Sequence, residues 1–337
     1  MTMKGHPSGL SLAEVVVALS ILALIAAVSL PALHRARNAA RMVECQDHLR
    51  RIAAGTIAYE TKHKHFPPGQ LNARFLPASN NANMTDPAEP TATTGIGQGT
   101  SWLVHILPFI EQEALYKSWK FNRNVAGNRD AAMVDIPLFY CPSRRSAMDA
   151  ASYPNVRRVG SDWTAGGNDY AGCAGSGILF DDKSRGTYAL LPAQLEFTVG
   201  RDGWSPFNQQ TENIGILTVN STATLADIGD GASQTLLVSE RRLTDFAGPE
   251  SQISSDGWAW GGPATLFSCR TAPHQGVNAP DAAAGLGHFD SADGPHAGVV
   301  QAAFADGAVK SININISLAV WRELGSMNGG LPARIPD

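Results

Sequence analysis

The densest group of potential metal ligands lies near the carboxyl end, where residues 288–296 read HFDSADGPH. Its candidate ligands are His288, Asp290, Asp293 and His296. Carboxylate oxygens and imidazole nitrogens in a glycine-containing loop suit a divalent cation such as calcium. The spacing is not that of an EF-hand, and Asp is also common in solvent-exposed loops. We therefore expect no cofactor, and a divalent cation at these residues is the alternative.

His296 also begins a second pattern, because nine residues separate it from Asp306, and Gly307 follows directly. A metal site or an acid–base pair would need the two side chains close together. If Val299–Phe304 is a straight strand, they lie roughly 30 Å apart at about 3.3 Å per residue. The pattern therefore predicts a hairpin turn at Asp306-Gly307, while His296 caps the far end or packs against the return strand.

The four cysteines, Cys45, Cys141, Cys173 and Cys269, are far apart in the sequence and form no CxxC pair, which argues against a structural zinc site. In an oxidising compartment, an even number of cysteines permits two disulfides. Three pairings are possible, and the sequence alone does not choose among them. Buried free thiols, which pack as small apolar side chains, are the alternative.

Patterns typical of hydrolases and nucleic-acid-binding proteins are absent from the sequence. It contains no G-x-S-x-G nucleophile elbow and no H-E-x-x-H zinc-binding helix. The 26 basic and 30 acidic residues give a net charge of -4, without the basic excess typical of nucleic-acid binding. The 7 tryptophans could line a carbohydrate groove, although core packing is their commoner use. We therefore predict that the chain is not an enzyme and binds no nucleic acid.

The amino-terminal region has the features of a membrane-spanning helix. Val15–Leu33 contains no charged residue and, at about 1.5 Å per residue, is long enough to cross a bilayer. Amphipathic helical spacing continues from Arg35 to about His63. The pattern predicts one long helix with a kink at Pro31. A carboxylate at the edge of an apolar segment is costly unless it has a charged partner, so Glu14 requires an explanation.

The remaining sequence predicts short helices and strands separated by long loops. A short helix interrupted by a proline is expected over Trp102–Trp119, and strands over Ile136–Cys141, Thr235–Glu240 and Trp258–Trp260. The clearest hairpin joins Val299–Phe304 to Ala308–Ile316. The predicted fold class is α+β, with a long transmembrane and amphipathic helix packed on an antiparallel sheet that carries large loop insertions.

The first residues of the chain resemble the cleavage and methylation segment of type IV prepilins and type II secretion pseudopilins. Gly9 stands where these proteins have the glycine before the cut, and Leu10 would become the first mature residue. Glu14 and Pro31 then fall at mature positions five and 22, as they tend to in pilins. The resemblance implies cleavage by a prepilin peptidase, methylation of the Leu10 amine, and pairing of Glu14 with the amino terminus of a neighbouring subunit.

A second resemblance covers nearly the whole chain. Six landmarks occur in order, from CQDHLRRIAAGTIAYETKHKHFPPG through SWLVHILPFIEQEALY, FYCPS, NDYAG and DIGDGASQTLLVSE to HAGVVQAAFADGAV. They are similar to those of bacterial prepilin-like proteins with a domain of unknown function that ends in an H-x9-DG motif. The resemblance implies a pilin-like architecture and supplies no settled biochemical activity.

Together these features predict three segments, a leader over 1–9, a pilin-type helix over 10–65 and an extracytoplasmic α+β head over 66–337. The predicted protein is a pseudopilin-like subunit of a type II secretion or type IV pilus-like filament. It would be a single-pass protein of the inner membrane, with its head in the periplasm or on the cell surface. Its expected partners are the prepilin peptidase and other pseudopilin-like subunits. The alternative is a membrane-tethered protein that binds a glycan or another protein.

Overall fold

The structure, a computed structural model, covers two compact units, Met1–Val43 and Glu44–Asp337. The residues that it describes are 12–71, 100–121, 123, 125–149, 151–154, 156, 158, 162–176, 178–180, 195–197, 213–218, 221–243, 254–275 and 289–330. Gly9, Leu10 and His288, which the sequence analysis singles out, lie outside these ranges.

The first unit consists of the beginning of a 52-residue helix, α1, which extends from Leu12 to His63 and continues through Pro31. Eleven of its large apolar side chains up to Leu33 are exposed. They are Leu12, Val15, Val16, Val17, Leu19, Ile21, Leu22, Leu24, Ile25, Leu30 and Leu33. Among the described residues, α1 is the one helix long and apolar enough to span a membrane. This finding is consistent with single-pass anchoring.

The second unit contains a five-stranded sheet in the order β5-β1-β4-β8-β9. Its strands are β1 (Tyr170–Cys173), β4 (Leu236–Glu240), β5 (Leu266–Phe267), β8 (Val299–Phe304) and β9 (Val309–Asn313). Two further pairs, β2 (Ile178–Phe180) with β3 (Leu195–Phe197) and β6 (His274–Gln275) with β7 (Asp293–Gly294), lie outside it. The helices after α1 are α2 (Trp102–Ile106), α3 (Glu113–Ser118), α4 (Arg129–Ala132) and α5 (Leu318–Leu324).

The predicted α+β class is confirmed, although the sheet is mixed rather than wholly antiparallel. The pairs β1–β4, β4–β8 and β8–β9 are antiparallel, whereas β1 and β5 are parallel. Parallel neighbours need a long crossover, and residues 174–265 provide one. The hairpin around Asp306-Gly307 is present as predicted, but β9 ends at Asn313 rather than Ile316.

Two predicted strands are wrong. In place of a strand over Ile136–Cys141, the chain forms a 3-10 turn at Pro137–Phe139, where the proline supplies the first-turn geometry and lacks an N–H for strand pairing. The segment Trp258–Trp260 contributes an isolated bridge to Thr100 instead of a strand. Conversely, the glycine-rich segment that gave no strand signal contains β1, a central strand of the sheet.

The core occupies both faces of the sheet. In β8, Val300 joins one hydrophobic cluster and Ala303 joins the other, as expected for a strand covered on both sides. Leu49 and Ile52 of α1 share a continuous core with Val238 of β4. The carboxyl-terminal part of α1 therefore packs on the sheet, as predicted.

Candidate functional site

Charged and sulfur-containing side chains from six segments that are distant in sequence meet in one buried cluster, which we call the polar centre. Its members are Cys45, Cys141, Arg144, Arg145, Asp169, Glu240, Arg241, Asp256 and His296. They come from α1, the loop after the 3-10 turn at Pro137–Phe139, the entry to β1, the end of β4, the loop around residue 256, and the segment before β8. The side chains that form ion pairs within the polar centre are at most 8% exposed.

Backbone hydrogen bonds hold the cysteine loop against the entry to β1. The Cys141 N–H donates to Asp169 Oδ2 at 3.0 Å, and the Asp169 N–H donates in return to the Phe139 carbonyl at 2.8 Å. The Cys141 carbonyl accepts from the N–H groups of Arg144 and Arg145. This turn directs both guanidinium groups into the interior beside Asp169.

One half of the polar centre is a network of three arginines and two aspartates. Arg145 donates to both oxygens of Asp256, at 2.6 and 3.0 Å, and through Nε to Asp169 at 2.9 Å. Arg241 donates to Asp256 at 3.2 Å. Arg144 lies 3.6 Å from Asp169 and donates to the Arg241 carbonyl at 2.8 Å. The network joins the cysteine loop to β1 and to the end of β4.

The charges of this network shift the pKa values of its members in opposing ways. Burial by itself would raise the pKa of Asp256, but Arg145 and then Arg241 lower it to about 2. Burial lowers the pKa of Arg241 to about 10, against the opposing effect of Asp256. Asp256 therefore stays ionised, because breaking a buried ion pair leaves a charge without compensation.

The other half of the polar centre, which we call the sulfur corner, consists of Cys45, Cys141, Glu240 and His296. Cys45 and Cys141 form a disulfide that ties α1 to the loop. His296 Nε2 lies 3.7 Å from Cys141 Sγ and 3.1 Å from Glu240 Oε1. All four residues are buried, and their ligand atoms lie within 4.8 Å of one another.

Glu240 is oriented by the backbone around it. Its Oε2 accepts a hydrogen bond from the Gln301 N–H at 2.9 Å. A side chain at position 294 would place its Cβ 2.5 Å from this oxygen, so Gly294 leaves the space that the carboxylate occupies. Despite the short distance to His296, Glu240 Oε1 has no aligned hydrogen-bond donor among the described residues.

The sequence left open whether the cysteines form disulfides or stay free, and the structure contains one disulfide and one pair of free thiols. Cys45–Cys141 is bonded, whereas Cys173 and Cys269 are buried free thiols whose sulfurs lie 3.7 Å apart. Burial, followed by the neighbouring thiol, raises the pKa of Cys269 well above its usual value, which keeps it protonated. The second pair therefore packs as apolar side chains.

The candidate calcium ligands of the sequence analysis separate into different environments. Asp290 and Asp293 lie near Arg242. Burial lowers the pKa of Arg242, and the charges of these two carboxylates offset only part of that effect. His296 instead faces Glu240 and Cys141. Among the described residues, His296 is the one member of that set within a group of mutually close metal-ligating atoms. The four-residue cation site stays a prediction, because His288 lies outside the described ranges.

The two residues of the H-x9-DG pattern have separate positions at opposite ends of β8. Asp306 Oδ1 accepts from the Ala308 N–H at 2.9 Å, and Gly307 adopts φ +86°, which favours glycine. These features make Asp306-Gly307 the predicted hairpin turn. His296 packs beside β4 and the disulfide.

The tryptophans belong to the core wherever the structure describes them. Trp102, Trp119, Trp163, Trp258, Trp260 and Trp321 are at most 4% exposed, and Trp204 lies outside the described residues. These six side chains are therefore not available to line a carbohydrate groove. In the first unit, Glu14 is exposed in the first turn of α1, where a carboxylate is favourable beside the positive end of the helix dipole.

Sequence reasoning missed most of the polar centre. No recognisable catalytic spacing links Arg144, Arg145, Glu240, Arg241 and Asp256. The first four gave no signal other than a position in or next to the landmark sequences FYCPS and TLLVSE. Asp256 lies in none of the landmarks.

Comparison with protein-family models gives a match over most of the chain. A family model described as a protein of unknown function (DUF1559) matches residues 34–318, a range that contains the entire polar centre. Neither the curated proteins nor the solved structures provide a match.

Proposed function

We propose that this chain, which belongs to the DUF1559 family of proteins of unknown function, is a pseudopilin-like structural subunit rather than an enzyme. The observation that carries the proposal is α1, a single helix whose first part exposes apolar side chains and whose last part is buried in the core of the second unit.

The exposed part of α1 needs an apolar environment. Eleven large aliphatic side chains between Leu12 and Leu33 are exposed, far more apolar surface than a soluble monomer usually exposes. A bilayer covers such a surface before assembly, because all backbone polar groups of a helix are satisfied internally. A filament core formed by equivalent helices of other subunits would cover the same surface after assembly.

Processing at Gly9–Leu10 would give Glu14 its role. Cleavage creates a new amine at Leu10, and methylation leaves this amine positively charged. Glu14 lies four residues further along the sequence in an apolar segment, where a nearby cation stabilises an ionised carboxylate. In a filament, the Leu10 amine of an adjacent subunit supplies that cation. This pairing would set the register between neighbouring helices.

The polar centre supports a structural role for the head. The disulfide joins α1 at Cys45, and Gln46 Nε2 donates to Gln301 Oε1 of β8 at 2.9 Å. These bonds fix the carboxyl-terminal part of α1 to the sheet near residue 44, where the second unit begins. A subunit that is inserted or withdrawn by its helix needs such a connection. The burial of the charged groups also argues against a role in binding a substrate.

The proposed location follows from the same features. A buried disulfide suits an oxidising compartment, so the head would lie in the periplasm or on the cell surface, with α1 in the inner membrane. The partners would be a prepilin peptidase and other pseudopilin-like subunits. The alternative, a membrane-tethered glycan-binding protein, gains no support from the six described tryptophans, which are buried.

The leader offers a matched pair of variants that test the processing step. Gly9→Val removes the residue before the cut, while Gly5→Val makes the same change four residues earlier. Expressed with a prepilin peptidase, Gly9→Val should accumulate as the longer precursor, while Gly5→Val should be shortened like the wild type. Equal processing of Gly9→Val and the wild type would contradict the proposal, as would no shortening of the wild-type chain.

A further inference from the structure

The sulfur corner brings together four side chains of the kinds that bind zinc. Zn²⁺ takes thiolate, imidazole and carboxylate ligands, usually four of them in a tetrahedron. The sequence alone argued against such a site because it contains no CxxC pair. The fold supplies the missing proximity, because α1, a loop, β4 and the segment before β8 each contribute one ligand atom. We propose that, when the disulfide is reduced, the sulfur corner binds one Zn²⁺ ion.

The distances in the sulfur corner agree with those between ligands of a tetrahedral zinc ion. Bond lengths near 2.3 Å for sulfur and 2.0–2.2 Å for nitrogen and oxygen place a sulfur about 3.6 Å from a nitrogen, and a nitrogen about 3.4 Å from an oxygen. The corresponding distances here are 3.7 Å for Cys141 Sγ to His296 Nε2 and 3.1 Å for His296 Nε2 to Glu240 Oε1. The chief movement is separation of the two sulfurs to about 3.8 Å once their bond is broken.

An independent observation points to a cation at this position. Glu240 Oε1 is buried and faces His296 Nε2 at 3.1 Å, but among the described residues it accepts no well-aligned hydrogen bond, so this carboxylate oxygen is poorly satisfied. Its partner oxygen accepts the Gln301 N–H, which directs Oε1 towards His296 and the sulfurs. Hydrogen bonds of this kind orient the ligands in known metal sites.

The disulfide and the zinc-bound form of the sulfur corner exclude each other, because zinc binds the two reduced cysteines. A dithiol reductant transfers two electrons to the Cys45–Cys141 bond and becomes a cyclic disulfide itself, while the two cysteine sulfurs take up protons. Zinc binding then displaces these two protons to solvent. Two thiolates, one carboxylate and Zn²⁺ leave the sulfur corner with a single negative charge. Burial by itself would lower the pKa of the neighbouring Arg144, but the charges of Asp169, Asp293 and Glu240 raise it, so this guanidinium stays positively charged beside the sulfur corner.

The test uses the full chain in detergent. The protein is unfolded with excess dithiol, refolded without oxygen in the presence of Zn²⁺, and freed of unbound metal before elemental analysis. The reduced wild type should retain about one zinc per chain, and the oxidised wild type none. With Co²⁺ in place of Zn²⁺, absorption due to sulfur–cobalt charge transfer should appear. Circular dichroism reports whether each preparation has folded.

Variants assign the metal to the sulfur corner. Cys45→Ser and the isosteric Glu240→Gln should lose the bound zinc. Cys173→Ser, which changes one of the two buried free thiols, should retain it. Glu240→Gln keeps the test decisive if Cys45→Ser does not fold. The proposal is overturned if the reduced wild type retains no zinc or stays unfolded with zinc present. It is also overturned if Cys173→Ser loses the metal, or if Glu240→Gln binds it like the wild type. These outcomes do not depend on whether the chain is processed or forms filaments.

Discussion

Asp256→Asn is expected to destabilise the second unit by about 2–5 kcal/mol. The carboxylate accepts hydrogen bonds from Arg145 at 2.6 and 3.0 Å and from Arg241 at 3.2 Å. Asparagine keeps the shape but removes the charge, so two buried guanidinium groups lose a counterion. Breaking a buried ion pair typically costs about 3–5 kcal/mol. The pKa of Asp256, lowered from 3.8 to about 2, corresponds to about 2 kcal/mol at about 1.4 kcal/mol per unit.

The loss of unfolding free energy caused by Asp256→Asn should become smaller at acidic pH. Because the pKa of Asp256 is lower in the folded chain than in the unfolded chain, its stabilising effect is complete above the unfolded value of 3.8. The effect is lost as the pH falls through the folded value of about 2. The difference in unfolding free energy between the wild type and Asp256→Asn should therefore be constant near neutral pH and shrink below about pH 4.

Urea unfolding of the full chain in detergent, followed by tryptophan fluorescence, measures this difference. Asp162→Asn is the matched control, because Asp162 also pairs with an arginine, Arg129 at 2.8 Å, but its side chain is 71% exposed. An exposed pair contributes about 0–1 kcal/mol. Equal losses for the two variants would refute the reasoning, and so would a loss for Asp256→Asn that persists unchanged down to pH 2.

Three further predictions follow from single features. Cys45→Ser opens a disulfide with a sequence separation of 96 residues, so the unfolding free energy should fall by about 4–5 kcal/mol in the chain-entropy model, whereas Cys173→Ser should cost less. Equal losses in urea unfolding would contradict this difference. Gly307→Ala should lower the unfolding free energy by about 1 kcal/mol, because Gly307 has φ +86°, a conformation that alanine adopts only with strain. The added Cβ would lie 3.4 Å from Ile57, an ordinary contact, so the cost comes from the backbone. An unchanged urea midpoint would contradict the assigned turn. Glu14→Ala should insert in the membrane normally but enter filaments poorly, and normal incorporation in a filament-pelleting assay would remove its proposed role.

Features with a local sequence signal were predictable. The β8–β9 hairpin combines alternating apolar residues with Asp306-Gly307, a dipeptide that favours the required turn. The apolar run that becomes the first part of α1 is equally explicit, since its length and lack of charge need no knowledge of the rest of the fold.

Features that depend on tertiary contacts were not predictable. Strand β1 contains Gly172, where a Cβ would lie 2.6 Å from Leu217 Cδ1, so close packing rather than strand propensity determines the residue. The strand predicted at Ile136–Cys141 failed because Pro137 starts a 3-10 turn.

The polar centre illustrates the same limit at the candidate site. Cys45 and Cys141 are bonded because α1 packs beside the cysteine loop, and no spacing rule distinguishes this pairing from the other two. The partners of Asp256 come from positions 111 and 15 residues away, so no short motif reveals the network. Only the fold brings these charges together.

Intact-mass measurement of the membrane-extracted protein, from a bacterium with a prepilin peptidase, tests the central claim most directly. The account predicts a mature chain that begins at Leu10, carries one added methyl group, and retains the Cys45–Cys141 disulfide. A chain that begins at Met1 in the extracted protein would contradict it.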